Sequence, residues 1–333
     1  MIRAFDGSLA DAEGLLAVEQ ATFDECPYTA HQIQAMLQPG NATPIEKCHP
    51  EQCEGPESKI TILSEAKDQN RHSLQCAWLA VNDNPVGTPN GNVVGFVTAF
   101  PVSSLEGIWW EIDLLAVHPD WQGRGLGRQL IRAAAAGGQG LAGRSRAVVA
   151  TGNRRSTRAF AHAGFQVQPS ACTLLIRRFD EQAPWPQPAS GVTVHQAASP
   201  AGAAPIQNPK SLCRPLLAAK VAILSEAKDQ NRHLLTLLLA EDCDCPAGQV
   251  ELIQVQTLLY RGIWIESLGA SSRQVRETLV YHALSRAIAA GLDEVSAVVQ
   301  QQNQPLLHTL LACGFRSLGT YRWLTAKLPL ANP

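Results

Sequence analysis

No stretch of this 333-residue sequence is apolar for long enough to cross a membrane as a helix; runs such as Leu234–Ala240 have only the length of a strand. Neither sign of charge is in surplus. Lys and Arg number 27 against 29 Asp and Glu, a formal charge of −2. The clustered basic surface that neutralises nucleic-acid phosphates is therefore missing. The opening residues Met1-Ile-Arg-Ala-Phe-Asp6 lack the basic-then-apolar pattern of a secretory signal. Nine cysteines, an odd number spread over a long chain, do not make a disulfide framework and suit a reducing compartment. Cys48 and Cys53 bracket His49, and Cys243 stands two residues before Cys245, but neither pair has the spacing of a zinc knuckle. These absences lead us to expect a cytoplasmic protein with no metal, no nucleic-acid partner and no membrane. What is present is an ordinary folding composition, 45% hydrophobic and 17% charged. At roughly 150 residues per domain, the length suggests two domains, each with its own core.

Two repeats run through the chain. The first is literal: Ile62–His72 and Ile223–His233 both read ILSEAKDQNRH, while their flanks have diverged. It resembles the translation of a short mobile DNA element inserted in frame twice. A polar surface loop tolerates such an insertion at small cost. The first copy lies in a polar stretch, 44–73, that we expect to be mobile.

The second repeat is older and is carried by pattern. Gly107-Ile-Trp-Trp-Glu111 matches Gly262-Ile-Trp-Ile-Glu266, and Asn153 and Asn303 each precede a Gly-Phe pair by eleven residues. Between these anchors, both halves carry apolar residues at helical spacing. They are Leu126, Leu130, Ile131 and Ala134 in the first, and Val275, Leu279, Ala283 and Ala287 in the second, with Val280, Leu284 and Ile288 beside them. Strand-type runs follow, Ala147–Thr151 and Cys172–Phe179 in one half, Val295–Val299 and Tyr321–Leu328 in the other. The expectation is two copies of one α/β unit, with α+β mixed, mostly antiparallel sheets flanked by helices. The first would span residues 1–180 and the second 191–333. The three prolines of the joint at 181–190 (EQAPWPQPAS) can continue neither a helix nor a central strand.

The informative stretch is Glu111–Arg132. A strand reading, Trp109–Val117, is stopped by Pro119, and Gln122-Gly-Arg-Gly-Leu-Gly-Arg128 then opens into the amphipathic helix. A helix start leaves unpaired N–H groups and a partial positive charge. Alternating glycines let the backbone approach an anion and take up positive φ. Arg124 and Arg128 add charge, and the ensemble reads as a cradle for a diphosphate. No Lys-Ser or Lys-Thr follows the glycines, as a nucleotide P-loop requires, and the spacing is not that of a dinucleotide fingerprint.

The run LLAVHPDWQGRGLGRQLI resembles the acyl-CoA-binding motif of the GNAT (Gcn5-related N-acetyltransferase) family, Gln/Arg-x-x-Gly-x-Gly/Ala, with Gln122, Gly125 and Gly127 at its fixed positions and Gly123, Arg124 and Leu126 between. A second family signature, Asn, a small residue, an aromatic and then Gly-Phe, is met by Asn153, Ser156, Phe160, Gly164 and Phe165. The resemblance implies that the loop amides hold the diphosphate of acetyl-CoA. It implies that Leu115, Ala116 and Val117 bind the pantetheine arm like an added strand, with Asn153, Ser156 and Phe160 on its other side. It also implies transfer of an acetyl group to a primary amine of a small molecule or peptide, which must lose a proton. Glu111 corresponds to the strand glutamate that is the base in histone-acetylating members. It is the expected base, directly or through water, and Asp113 is the second candidate. A rim carboxylate that attracts a cationic acceptor is the other reading of Glu111. Where the family often has a Tyr that protonates the leaving thiolate, this chain has Phe160. That motivates an alternative, a non-catalytic acyl-CoA-binding sensor or pseudoenzyme.

Counted back from Asn303, Gly123, Gly125 and Gly127 correspond to Arg273, Val275 and Glu277. Side chains there would bar a phosphate, and Glu277 would repel it. The second half is expected to keep the fold without acetyl-CoA, and its Glu266 reads as a relic. The acceptor, and any homo-oligomer formed through a sheet edge, are left open by the sequence.

Overall fold

The computed structural model describes residues 1–23, 28–37, 75–82, 93–180, 185–196, 235–242, 245–258 and 260–330. Both ILSEAKDQNRH copies, the stretch 44–73, Cys48, Cys53 and Cys243 lie outside the described residues.

The N-terminal half runs β1 (Ile2–Ala4), α1 (Leu9–Thr22), α2 (Ala30–Met36), β2 (Cys76–Val81), β3 (Val93–Ser104), β4 (Gly107–Val117), α3 (Leu126–Gly137), β5 (Arg144–Ala150), α4 (Arg154–Ala163) and β6 (Gln166–Arg178). The C-terminal half runs β7 (Val192–Gln196), β8 (Leu235–Asp242), β9 (Cys245–Gln256), β10 (Arg261–Ala270), α5 (Arg273–Ala289), β11 (Glu294–Gln300), α6 (Gln304–Ala312) and β12 (Arg316–Lys327). The strands form one mixed twelve-stranded sheet in the order β1-β2-β3-β4-β5-β12-β6-β11-β10-β9-β8-β7. The β4–β5 and β10–β11 pairs are parallel and the other neighbours antiparallel.

That order records an exchange. β12, the last strand of the chain, pairs with β5 of the first half from Tyr321↔Ala150 to Lys327↔Arg144. β6, the last strand of the first half, pairs with β11 of the second from Cys172↔Gln300 to Arg178↔Glu294. β6 and β12 also pair with each other. Each half therefore lends its final strand to the other. Leu324 of β12 is fully buried in the core under α3 and α4, and Leu175 of β6 is fully buried in the core under α5 and α6. Neither core is complete without the other half's strand.

The helical periods seen in the sequence mark the buried faces. Leu130, Ile131 and Ala134 of α3 have no exposed surface, nor do Val275, Leu279, Ala283 and Ala287 of α5. Ile288 departs from the pattern at 50% exposed, because it lies at the edge of the apolar stripe in the last turn. α3 and α4 pack on one face of the first half-sheet, against Val97, Trp110 and Ile112. α1 and α2 pack on the other, where Leu15, Val18 and Ile33 meet Leu79, Phe96 and Leu114. Beyond α1 and α2 that second face meets the C-terminal half directly: Phe100 and Val102 of β3 cluster with Ile253 and Val255 of β9. The α3 contact is close, since a Cβ on Gly138 would lie 2.5 Å from Trp110 Cγ. The Trp110 indole N–H donates to the Ala134 carbonyl at 2.8 Å.

Candidate functional site

β4 brings the expected residues together through two irregularities. It is paired with β5 only from Trp109↔Arg144 to Glu111↔Arg146. Beyond that point β4 continues beside β3 as far as Val117, while β5 runs beside β12. The sheet opens into a wedge between Ile112–Val117 and Ala147–Ala150. β4 also holds an extra residue, for Val97 faces Leu115 whereas Ala99 faces Ile112. This bulge switches the strand's faces. Trp110 and Ile112 pack toward α3, but past the bulge Leu115 and Val117 do so, and Leu114 and Ala116 turn to the α1–α2 side.

At the mouth of the wedge a short 3-10 turn, Pro119–Trp121, leads into the glycine loop. Gly123 and Gly125 have φ of +79° and +77°, and a Cβ on either would meet nothing within 4 Å. The conformation is one that side chains resist, and open space surrounds it. Gly127 differs. It sits at the α3–α4 contact, where a Cβ would lie 3.7 Å from that of Ala159. The other described α-helices start on a capping side chain: Ser8, Thr29, Asn153, Ser272 and Asn303 each accept a hydrogen bond from a first-turn amide. α3 alone among them starts on a glycine, Gly125, with no side-chain cap.

Side chains brace this loop. Gln122 Nε2 donates to the Val117 carbonyl at 3.0 Å, and Gln122 Oε1 accepts from Arg155 Nη1 of α4 at 2.6 Å. The wedge's two walls are thereby tied at its mouth. Arg124 donates to the Asp120 carbonyl at 3.2 Å and lies 4.4 Å from the Trp121 ring centre. Arg128 is exposed and Leu126 half-buried. Asn153 caps α4 by accepting from the Ser156 amide at 3.0 Å. Phe160 is 2% exposed and packs edge-on against Phe165, 5.1 Å between centres. It fixes the position of α4 from inside the core.

The two carboxylates of β4 both point toward the C-terminal half. Glu111 Oε2 accepts from Arg146 Nε at 2.5 Å. The same guanidinium donates through Nη1 and Nη2 to Glu266 of β10, at 2.6 and 3.0 Å. Glu111, Arg146 and Glu266 expose only 14%, 9% and 13% of their side chains. Two carboxylates thus share one cation in a setting poor in water. Burial pushes the Glu111 carboxyl up to about 7 against the pull of Arg146, with Glu266 and Asp113 adding to the rise. Asp113 is pushed up to about 6 by burial and held back by a hydrogen bond from Thr257. Gln75 donates to it at 3.4 Å and accepts from the Leu258 amide at 3.2 Å. Glu251 of β9 accepts from the Leu105 amide at 2.6 Å and from Ser267 Oγ at 3.1 Å, and burial raises it to about 7.

Two sequence expectations for the second half are corrected here. Glu266 is no bystander, since it grips the cation that Glu111 uses. Arg273, Val275 and Glu277 do not occupy a loop. Between β10 and α5 only Ser271 and Ser272 remain, so these three residues lie inside the helix. Val275 is fully buried, and Arg273 pairs with Glu277 at 2.7 Å. The C-terminal wedge persists, as β10 and β11 pair only from Gly262↔Glu294 to Ile265↔Ala297. The loop at its mouth has been deleted rather than substituted. Sequence reading also missed Arg146. Its signal was a charged side chain at an inward position of the strand Arg144–Ala150, and a buried charge demands a partner.

Among the described residues no group of three His, Cys, Asp or Glu side chains is placed to hold a metal, and no helix is long and apolar enough to cross a membrane. The sequence pattern of the acetyltransferase (GNAT) family matches residues 45–165. None of the curated proteins matches the chain. Among solved structures, a tandem GNAT protein from the clavulanic acid biosynthesis pathway is similar over 100% of this chain and 99% of its own, at 13% identity and a TM-score of 0.53. A GCN5-related N-acetyltransferase from Sphaerobacter thermophilus is similar over 98% of this chain and 95% of its own, at 17% identity and a TM-score of 0.53. A GCN5-related glucosamine N-acetyltransferase region of a fungal multi-domain protein is similar over 98% of this chain and 38% of its own, at 14% identity and a TM-score of 0.52. The acetyltransferase (GNAT) pattern thus covers residues 45–165, and the doubled α/β fold of the whole chain is similar to that of a tandem GNAT protein.

Proposed function

We propose that the protein is an N-acetyltransferase that takes its acyl group from acetyl-CoA and delivers it to a primary amine of a small molecule or peptide. One observation carries the reading. α3, the described α-helix without a side-chain cap, begins on two positive-φ glycines facing open space at the mouth of the wedge. Free amides, a helix start and room for close approach are what a diphosphate requires. The residues fit that group: the amides of Gly123–Gly127 would hold the diphosphate, with Gln122 bracing the loop through its side chain, Arg124 and Arg128 would add charge, and the edge of Leu115, Ala116 and Val117 would accept the pantetheine arm. Asn153, Ser156 and Phe160 hold the far wall in place. Acetyl-CoA, when bound, supplies an activated thioester carbonyl. The protein's own part is to hold that arm between β4 and β5, to admit an amine from the face carrying Glu111 and Asp113, and to take its proton. A carboxyl raised to about 7 is matched to that task near neutral pH, so Glu111 is the assigned base and Asp113 its second. The domains carrying this division of labour span 1–180 and 191–333.

The experiment is acetyl-CoA-dependent thiol release across a panel of amines and peptides. Glu111→Gln should lower kcat with CoA affinity intact. A second reading, an acyl-CoA sensor without turnover, is favoured by Phe160, which has no hydroxyl to protonate a leaving thiolate. It predicts tight CoA binding with no thiol release from any amine.

A further inference from the structure

We infer that the C-terminal half takes part in the proton chemistry of the N-terminal half: Glu266, by gripping the Arg146 guanidinium, is a positioning residue that sets how strongly Arg146 can hold the Glu111 carboxylate. This rests on Glu111 being the base.

The geometry is unequal. Arg146 gives Glu111 one hydrogen bond, from Nε, and gives Glu266 two, from Nη1 and Nη2. A paired fork of this kind is the stronger and more directional contact. The guanidinium is also flanked by two indole rings, with the Trp323 ring centre of β12 at 4.7 Å and that of Trp109 of β4 at 5.4 Å, contacts that favour its present orientation. Of these contacts on Arg146, the two from Glu266 and Trp323 come from the C-terminal half and the one from Trp109 from the N-terminal half. The charged groups around Glu111 are Arg146 on β5, Glu266 on β10, Asp113 on its own strand, and Glu251 on β9 behind Glu266. Arg144 stacks on the Trp109 ring at 3.9 Å and donates to the Glu106 carbonyl. One cation thus serves several carboxylates. With its charge divided, Glu111 keeps its proton to a higher pH than a simple Glu–Arg pair would. A half that has lost its own glycine loop still has a reason to keep its strand glutamate.

Glu266→Gln removes the competing charge and keeps an acceptor for Arg146, so the fold should survive. Two readouts are taken on the full chain. The acid limb of kcat/KM against pH should move down by about one pH unit, with KM for acetyl-CoA unchanged, and Glu266→Asp should restore the original limb. Carboxyl 13C shifts of labelled glutamates should show the Glu111 resonance, identified by its loss in Glu111→Gln, titrating lower in Glu266→Gln. An unmoved resonance and an unmoved limb would overturn the inference. The base assignment fails separately: Glu111→Gln would then retain the wild-type limb, while the resonance shift would still report the coupling.

Discussion

Replacing Gly125 with glutamate puts the loop to a quantitative test. Gly125 starts α3 at φ +77°, and a Cβ there meets nothing within 4 Å. The protein itself suffers no clash. The cost to the fold is the left-handed backbone, about 1–2 kcal/mol for a residue with a side chain, against a total stability several times larger. The cost to binding is electrostatic. A carboxylate about 5 Å from a phosphate oxygen, at an effective dielectric of about 20, repels it by about 3 kcal/mol. That corresponds to a loss of affinity on the order of a hundredfold. Gly125→Ala serves as the control, with the same strain and no charge, and should lose less than about tenfold. Isothermal titration with CoA gives both affinities, and thermal melting confirms that both variants fold. Because the loop is exposed, raising the salt should narrow the gap between them. If the glutamate variant binds CoA as the native protein does, the diphosphate does not sit at this helix start.

Three further outcomes follow from the packing and the buried charges. Leu324→Ala, in the last strand of the chain, should destabilise the protein by about 2–5 kcal/mol and speed amide exchange in β5, because Leu324 fills the N-terminal core; unchanged β5 exchange would contradict the strand exchange. Gly138→Ala should cost about 1–3 kcal/mol, since its Cβ would fall 2.5 Å from Trp110 Cγ, and a melting temperature equal to the native one would refute that contact. Glu111, Asp113 and Glu251 have carboxyls raised in the folded protein, to about 7, 6 and 7. The folded state therefore binds more protons than the unfolded chain between about pH 4 and pH 7. Their contribution is fully present below the ordinary carboxylate range and is lost as pH rises through the folded values. Melting temperature should fall from about pH 5 to about pH 8, and Glu251→Gln should flatten that fall.

Much of this was legible along the chain. The apolar spacing of Leu130, Ile131 and Ala134, and of Val275, Leu279 and Ala283, located two helices and their buried faces. The glycines after Pro119 located a bent strand, a loop and a helix start, because φ and the need for close approach are local matters. The exchange of β6 and β12 was not legible. Both are strand-type runs of similar length, and which partner each chooses is decided by a whole sheet edge rather than by its own residues. The Glu111–Arg146–Glu266 triad was half legible. The two glutamates echo each other in sequence, but they meet only because the sheet brings β4 and β10 to one cation. The β10–α5 turn misled the register count for a similar reason: a helix can begin earlier when the loop before it is deleted, and Ser272 supplies the cap that keeps it stable.

The central claim is that the uncapped start of α3 holds the diphosphate of acetyl-CoA while the pantetheine arm runs between β4 and β5. A crystal structure of the full chain with CoA tests it most directly. The account predicts diphosphate density within hydrogen-bond reach of the Gly123–Gly127 amides, with the arm along Leu115–Val117. Density for CoA elsewhere, with those amides turned to other partners, would contradict it.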